Sequence, residues 1–506
     1  MEQQKLFDFI AQCKGYIDKE VAAQNWNNVL ALVSTTASII YESNLYYFDE
    51  DLENAIALVA KKLKLTPENY NANEDVILYY DGFGLNNRGL VQIYLEALCS
   101  ISDKKHLLYV APKRMRDKIP DIKVILDKAG AEAFFFEGRD YLTDITELNR
   151  LVEVKHPGHF FFYSTPGDVV GTVILNAYEG KLRRYQINLT DHTFWLGAKP
   201  IDVCIEFRDY GANISHEYRK IPKEKIVKIP YYPIVRDVPF QGYPFPKRDD
   251  QKVVFSGGSL YKTNGGEGKY YKIVEYILAN HPDVIFWYAG TYGSGDSTQL
   301  EALIKRYPNR VFWTREREDL FQVLKHCDLY LSTYSITGGL MTQYAARAGI
   351  PLVTLTYEDT SSRELLLNEA ELGINFFDID NLTAEIDRLL MDAKYAAKRG
   401  ESLKNALISP DSFNREIEKL INGSNSSNNN SENHENKEYV TIGFSIKYGS
   451  IDTTTFRALQ TANYTEEKLN NTIASKHNIS LTKYFPARFT QGGVQKILRK
   501  IRNITR

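Results

Sequence analysis

The amino-acid sequence predicts an α/β protein with two parallel-sheet domains of similar size, preceded by a helical segment. Short apolar runs alternate with helix-length stretches twice along the chain, and a proline-rich segment separates the two series. Strand signals are scarce before residue 70. Strands that alternate with helices pair in parallel through crossover helices, so each series predicts a three-layer α/β sandwich.

The order of the segments follows from these patterns. Residues 1–70 are predicted to be helical because apolar side chains such as Leu6, Phe9, Ile10 and Cys13 recur at intervals of three and four. The first α/β domain is predicted over residues 71–235, with strands at Val76–Tyr80, His106–Val110, Ala133–Phe136, His159–Tyr163 and Tyr185–Leu189. The second is predicted over residues 250–421, with strands at Val253–Ser256, Val284–Ala289, Arg310–Trp313, Asp328–Ser332 and Pro351–Leu355.

Two segments are predicted to be linkers. Residues 229–247 hold five of the seventeen prolines, which block helices and remove backbone donors, so an interdomain hinge is expected there. Residues 422–437 are rich in serine and asparagine and predict a flexible tether to a basic tail over residues 438–506. With open parallel sheets, ligands bind at the carboxyl ends of the strands, so the hinge predicts chemistry in a cleft between the domains.

Composition and charge exclude several classes of protein. The chain has 506 residues, of which 43% are hydrophobic and 25% charged, which excludes a largely disordered chain and a lone small binding module. The 62 basic and 64 acidic residues nearly balance, but no Asp or Glu follows Glu467, while nine Lys or Arg do. The body is therefore acidic, which argues against nucleic acid as a partner.

Cysteine spacing and hydropathy predict the compartment. Four cysteines lie far apart without CxxC spacing, so neither zinc nor a disulfide framework is indicated. The first residues lack the basic and apolar regions of a secretion signal, and no run of about 18 apolar residues occurs. A cytoplasmic protein is expected. The basic helix predicted over residues 493–504 would either bind the inner face of the cell membrane or dock on the acidic body.

Two glycine-containing loops of the second domain predict a diphosphate site. In the turn after its first strand, Gly257 and Gly258 allow close backbone approach, and Lys262 could neutralise phosphate. A glycine-rich turn can also serve only to reverse the chain. Downstream, a helix that starts near Gly338 or Gly339 would direct free amides at an anion, with Thr337 and Thr342 as further donors. Alone, that loop would be read as an ordinary helix cap, but paired with Lys262 it favours phosphate.

These residues resemble a known family. The Phe255 strand with Leu260-Tyr-Lys262, the Thr337-Gly-Gly loop leading to Gly349-Ile-Pro, and Phe194-Trp-Leu-Gly197 resemble nucleotide-sugar glycosyltransferases of the GT-B fold. The resemblance spans residues 75–420 and is closest to the catalytic region of the O-linked N-acetylglucosamine transferases. It implies two Rossmann-like domains facing a central cleft and a UDP-sugar donor, with no cofactor and no metal. The donor-binding residues expected from the loops and the resemblance are Gly257, Gly258, Lys262, Arg315, Thr337, Gly338, Gly339, Thr342 and Glu364.

The acceptor side departs from that family. Where the family carries a histidine near the acceptor, the turn after the first strand has asparagine instead, and no tetratricopeptide repeats are visible. The acceptor-side residues predicted in this turn are Gly82, Gly84, Asn86 and Arg88. His192, after a strand, is the candidate general base, and Asp191 could fix its tautomer. A histidine at a strand end more often serves packing.

These expectations combine into a function. The leading hypothesis is a metal-independent transferase that moves a hexosyl or N-acetylhexosaminyl group from a UDP-sugar to an acceptor hydroxyl in bacterial surface polysaccharide or glycoprotein assembly. The acceptor would be a glycan, a lipid-linked glycan or a protein, and a partner glycosyltransferase is a further expected ligand. The alternatives are a nucleotide-sugar epimerase of the same fold and a non-catalytic GT-B subunit that partners a transferase.

Overall fold

The computed structural model describes residues 3–43, 45–86, 90–101, 106–236, 238–290, 295–356 and 363–423. The chain forms two compact units, and the predicted tail over residues 438–506 lies outside the described residues. The first unit contains residues 3–207 and 211–228, and the second contains residues 208–210 and 229–423.

The first unit is a parallel sheet wrapped by helices. Its helices are α1 (Gln3–Ala22), α2 (Trp26–Ser43), α3 (Glu50–Leu63), α4 (Val91–Ser100), α5 (Pro120–Ala129), α6 (Tyr141–Lys155), α7 (Val169–Ala177) and α8 (Asp209–Glu217), whose first two residues group with the second unit. Its strands are β1 (Asn73–Asp81), β2 (His106–Pro112), β3 (Glu132–Phe136), β4 (Pro157–Tyr163), β5 (Arg183–Ile187), β6 (Val203–Glu206) and β7 (Ile226–Lys228). All neighbouring strands pair in parallel, in the order β3-β2-β1-β4-β5-β6-β7.

The predicted N-terminal helical segment packs directly on this unit. α2 is apolar around most of its circumference, and Val29, Leu30, Val33 and Ile40 are fully buried in the same core as β1 and β4. The Glu53 carboxylate of α3 accepts the amide of Gly197 at 2.8 Å, and burial raises the pKa of this carboxyl. The N-terminal helices α1, α2 and α3 therefore form part of the hydrophobic core of the first unit.

The second unit repeats the architecture. Its helices are α9 (Lys269–Asn280), α10 (Thr298–Arg306), α11 (Leu320–Lys325), α12 (Gly339–Ala348), α13 (Ile379–Met391), α14 (Ala393–Lys404) and α15 (Pro410–Ile421). Its strands are β8 (Lys252–Gly257), β9 (Val284–Ala289), β10 (Val311–Thr314), β11 (Leu329–Leu331), β12 (Leu352–Leu355) and β13 (Asn375–Phe376). They pair in parallel in the order β10-β9-β8-β11-β12-β13.

Alternate residues of the central strands serve two cores. Val254 and Phe286 belong to the cluster on one face of the second sheet, whereas Val253, Phe255 and Trp287 belong to the cluster on the other. Successive side chains of a strand point to opposite faces, so a continuous apolar run indicates a sheet covered on both sides. The ten predicted strands all form, and the short strands β6, β7 and β13 were not predicted.

The proline-rich segment packs on the second unit. Tyr243 donates its hydroxyl to the carbonyl of His326 at 2.6 Å, and the Phe245 ring stacks on Phe312 at 4.5 Å. The chain therefore passes from one unit to the other at residues 228 and 229, whereas the sequence predicted the end of the first domain at residue 235. Aromatic residues between the prolines supply this packing.

Two helical glycines of the first unit provide a matched test of the core. An alanine methyl at Gly171 of α7 would clash with the buried ring of Phe162, whereas nothing lies within 4 Å of such a methyl at Gly15 of α1. We expect Gly171→Ala to lower the free energy of unfolding by about 1–3 kcal/mol through overpacking. Gly15→Ala should be neutral or stabilise by up to about 1 kcal/mol. Scanning calorimetry of both variants checks this, and equal stability would contradict the packing.

Candidate functional site

The strand order of the second sheet defines where a ligand would bind in that unit. β8 lies in the middle, and the chain proceeds outward to β9 and β10 on one side and to β11, β12 and β13 on the other. In such sheets the ligand crevice lies outside the carboxyl ends of the two strands at which the order reverses. The loops after β8 and β11 therefore meet at this point, and they are the two loops that the sequence singled out.

The turn after β8 depends on glycine. Gly258 has φ +132°, a conformation that residues with a side chain rarely adopt, and a Cβ at Gly257 would lie 3.0 Å from the carbonyl oxygen of Ala289. The Gly258 amide donates to that same carbonyl at 3.0 Å. The chain then forms a short 3-10 helix, Leu260–Thr263, which carries Lys262.

Lys262 is a positive charge without a partner among the residues that the structure describes. Its side chain is half-buried and makes no hydrogen bond or ion pair with any described residue. Burial lowers the pKa of Lys262 below its ordinary value. A desolvated ammonium group without a counterion is unfavourable, so the free protein leaves an interaction open that an anion would complete.

The loop after β11 lies against the Lys262 turn. The Ile336 amide donates to the carbonyl of Lys262 at 3.2 Å, and the Ser335 hydroxyl donates to the carbonyl of Asn264 at 2.9 Å. Within the loop itself, the Thr333 hydroxyl donates to the Ile336 carbonyl at 2.7 Å. The structure thus brings the two predicted phosphate loops into contact, with backbone carbonyls of the Lys262 turn as the acceptors.

The start of α12 offers free donors. No side chain caps this end, where Gly338 occupies the cap position, and the first hydrogen bond runs from the Thr342 amide to the Gly338 carbonyl at 2.9 Å. The amides of Gly339, Leu340 and Met341 precede that bond and have no partner within the helix. The Thr342 side chain is 1% exposed, and its hydroxyl has no hydrogen-bond partner within the described ranges of the chain.

Three other predicted donor residues differ in their surroundings. Thr337 is half-buried in the loop before α12, and its hydroxyl makes no contact with a described residue. Arg315 is exposed and directly follows β10, at the same end of the sheet. Glu364 has φ +63° and accepts the backbone amide of Tyr210 at 2.7 Å, so part of its carboxylate is already engaged.

The predicted acceptor-side turn follows β1 of the first unit. A Cβ at Gly82 would lie 2.9 Å from Asp168 Oδ2, and Gly84 has φ +62°, so both glycines are required by the local packing. The side-chain oxygen of Asn86 accepts the Asp121 amide at 2.9 Å, in the first turn of α5. Asn86 thus caps the start of α5, and its role on the acceptor side stays a prediction. Arg88 lies outside the described residues.

His192 and Asp191 are in contact. The His192 Nδ1 atom lies 3.1 Å from Asp191 Oδ1. The Asp191 side chain is fully buried, whereas 45% of the His192 side chain is exposed. A buried carboxylate that accepts from Nδ1–H holds the neutral imidazole in the tautomer that leaves Nε2 free to accept a proton. The pairing that the adjacent sequence positions suggested therefore exists in the folded chain.

Glu206, at the carboxyl end of β6, is the residue that sequence reasoning missed. It is fully buried beside Asp191, with Arg219 near both, and burial together with the Asp191 charge raises the pKa of Glu206 to about 7, although Arg219 opposes the shift. The signal in the sequence was an acidic residue that ends an apolar strand. Its significance depends on long-range packing that local pattern does not reveal.

Metal ligands and membrane spans were also sought among the described residues. That part of the chain contains no group of three or more His, Cys, Asp or Glu side chains able to hold a metal ion. No helix there is long and apolar enough to cross a membrane. Cys13, Cys99, Cys204 and Cys327 are free cysteines, of which Cys99 is the one that is not fully buried.

Comparisons with known proteins concern the fold. No protein-family model and no curated protein matches the sequence. The solved structure of the lipopolysaccharide outer core galactosyltransferase WaaB, in its apo form, is 14% identical with a TM-score of 0.50, and the match covers 69% of this chain and 99% of that one. An O-GlcNAc transferase mutant from Thermobaculum terrenum is 14% identical with a TM-score of 0.48, over 90% of this chain and 83% of that one. HepE from Anabaena, solved with UDP and glucose, is 14% identical with a TM-score of 0.47, over 69% and 99%.

The predicted fold class is confirmed. Both sheets are parallel and follow the strand order typical of Rossmann-like domains, with seven and six strands. At 14% identity, the similarity to WaaB is a similarity of backbone fold. The chain has the GT-B fold of nucleotide-sugar glycosyltransferases, extended at its N-terminus by three helices that complete the first core.

Proposed function

We propose that the chain is a metal-independent glycosyltransferase that moves a sugar from a UDP-sugar to an acceptor hydroxyl. The observation that carries the proposal is the contact between the turn that holds Lys262 and the loop that leads to the uncapped start of α12, at the point where the strand order reverses. The Lys262 ammonium group has no partner among the described residues. A pyrophosphate supplies the negative charge that both lack. The resemblance of these loops to glycosyltransferase sequences favours a nucleotide sugar as its source.

The same groups would also stabilise the charge that develops during the reaction. When the bond from the sugar to the diphosphate breaks, negative charge develops on the departing phosphate oxygens. Lys262 and the first amides of α12 stabilise that charge, as a preorganised site does when its donors are directed at the place where charge appears. The Thr342 hydroxyl adds a further donor. A lysine and a helix end can in this way take the part that a divalent cation plays elsewhere.

The proton of the acceptor hydroxyl also needs a destination. His192 is the proposed general base, because Asp191 occupies its Nδ1 side and Nε2 is then the basic nitrogen of a half-exposed ring. The acceptor remains part of the proposal, as a glycan, a lipid-linked glycan or a protein in bacterial surface polysaccharide or glycoprotein assembly. A role for the basic C-terminal tail in membrane contact and for a partner glycosyltransferase belongs to the same proposal.

Binding of UDP tests the role of Lys262. We expect Lys262→Met to raise the dissociation constant for UDP by about tenfold to a hundredfold, because a hydrogen bond to a charged group contributes about 1.5–3 kcal/mol. Titration calorimetry measures this. Lys272 lies on α9 of the same unit, is exposed and has no contact with a described residue, so Lys272→Met is the matched control and should bind UDP as the wild type does. Equal affinity of all three proteins would exclude Lys262 from the site.

Substitution of the buried Thr342 distinguishes an effect on UDP affinity from an effect on stability. Thr342→Val removes an unpaired polar atom, so we expect the free protein to be at least as stable as the wild type. Affinity for UDP should fall by about tenfold or more, because a hydroxyl that donates to a charged diphosphate contributes about 1.5 kcal/mol or more. Thr342→Ser keeps the hydroxyl and should retain UDP affinity. Thermal unfolding with and without UDP measures both effects, and a valine variant that binds UDP normally would contradict the assignment.

Product analysis tests the reaction itself. The full chain is incubated with UDP-glucose, UDP-galactose or UDP-N-acetylglucosamine and p-nitrophenyl glycosides as acceptors, and the products are analysed by mass spectrometry. We expect an acceptor heavier by one sugar, with release of UDP, and the same yield after addition of EDTA. An isomerised UDP-sugar in reactions without acceptor would instead identify an epimerase. Tight UDP binding with neither product would favour the non-catalytic subunit.

A further inference from the structure

Glu206 has one carboxylate oxygen in use and one without a partner. Oε1 accepts from Asn188 Nδ2 at 2.8 Å and from the Ser215 hydroxyl, and Cys204 Sγ lies 3.4 Å away. Oε2 is buried and has no hydrogen-bond partner in the described residues. A buried carboxylate oxygen without a donor is costly as an anion, whereas a carboxylic acid carries its own hydrogen there.

The unpartnered oxygen lies beside Asp191. A methyl group placed on Gly211 of α8 would clash with Glu206 Oε2 and would lie 3.1 Å from Asp191 Oδ2. Both carboxylates therefore surround the same point, and only glycine allows α8 to approach them. Two carboxylates this close in a buried position do not both ionise readily, so one of them tends to keep a proton.

The charged and titratable groups around Glu206 decide which carboxyl holds the proton. Arg219 follows α8 and donates to the carbonyls of Asp191 and Thr193 at 2.7 and 2.6 Å, without an ion pair to Glu206. Tyr94 on α4 and Cys204 on β6 are the other titratable groups that face Glu206. Burial is the main cause that raises the pKa of Glu206 to about 7, Arg219 opposes it, and Asp191 adds to it.

We propose that Glu206 is a positioning residue that holds a proton beside Asp191 and thereby controls how strongly His192 binds its own proton. With Glu206 neutral, the Asp191 carboxylate faces His192 Nδ1 without a second negative charge beside it. When Glu206 ionises, the added negative charge stabilises the imidazolium, so the His192 ring binds its proton more strongly and is less often available as a base. The catalytic meaning of this coupling rests on the proposed function, but the coupling itself is a property of the free protein.

Titration of His192 in the full chain without nucleotide tests the proposal. In protein labelled with ¹⁵N-histidine, NMR follows the ring nitrogens from pH 5 to 9, and His192→Gln identifies the resonance. If ionised Glu206 stabilises the imidazolium, the midpoint of the His192 ring titration should be higher in the wild type than in Glu206→Gln, which mimics the neutral acid. Glu217, exposed on the same helix, gives the matched control Glu217→Gln, which should titrate as the wild type does.

Two outcomes would overturn the proposal. Equal ring midpoints in the wild type and in a folded Glu206→Gln would show that Glu206 does not act on His192. An equal shift of the midpoint in Glu217→Gln would show that the effect is not specific to Glu206. Neither result depends on UDP affinity. The coupling of Glu206 to His192 and the proposed donor site at Lys262 are therefore tested separately.

The dependence of stability on pH supplies a second measurement. The folded chain keeps the Glu206 proton up to about pH 7, whereas the unfolded chain loses it near the ordinary glutamate pKa of 4.5. The folded state therefore binds more protons between these values, and its stability falls as the pH rises through this window. Glu206→Gln should remove the loss of stability that the Glu206 proton causes as the pH rises. The unfolding midpoint of the variant in urea, relative to that of the wild type, should therefore be higher at pH 8 than at pH 5. An equal difference at both pH values would contradict a protonated Glu206.

Discussion

The positive charge of Lys262, which no described residue pairs, is the constraint on which the candidate donor site depends. Proteins rarely leave an ammonium group half-buried without a counterion, because desolvation is then uncompensated. At the neighbouring helix start, the first amides have no side-chain cap, and the buried Thr342 hydroxyl has no hydrogen-bond partner in the described part of the chain. Each feature alone has an ordinary structural explanation. Their combination is the reason for which we propose an anion site here.

The topology of the second sheet brings these groups together. Lys262 and Thr342 are eighty residues apart in sequence, yet β8 and β11 are neighbours in the sheet, so the loops that follow them meet. A backbone hydrogen bond from the Ile336 amide and a hydrogen bond from the Ser335 hydroxyl join the loops, and neither uses the lysine side chain.

The sequence predicted most of the strands and the two loops, because apolar runs and glycines are local signals. It did not predict β7 or β13, which have three and two residues and carry little pattern. Glu206 was missed for another reason. Its importance lies in its contact with Asp191 and Gly211, which depends on the approach of α8 to the end of β6 and cannot be seen in neighbouring residues. Asn86 shows the opposite case, since a polar residue in a promising turn proved to bind the amide of Asp121.

The most direct test of the account is the affinity of the chain for UDP compared with that for uridine, measured by titration calorimetry under one set of conditions. Uridine offers the same base and ribose but no charge for Lys262 or the start of α12. If the diphosphate is the group that this unit binds, UDP should bind at least about tenfold more tightly, a difference of about 1.4 kcal/mol. Equal affinities, or no binding of either, would contradict the central claim.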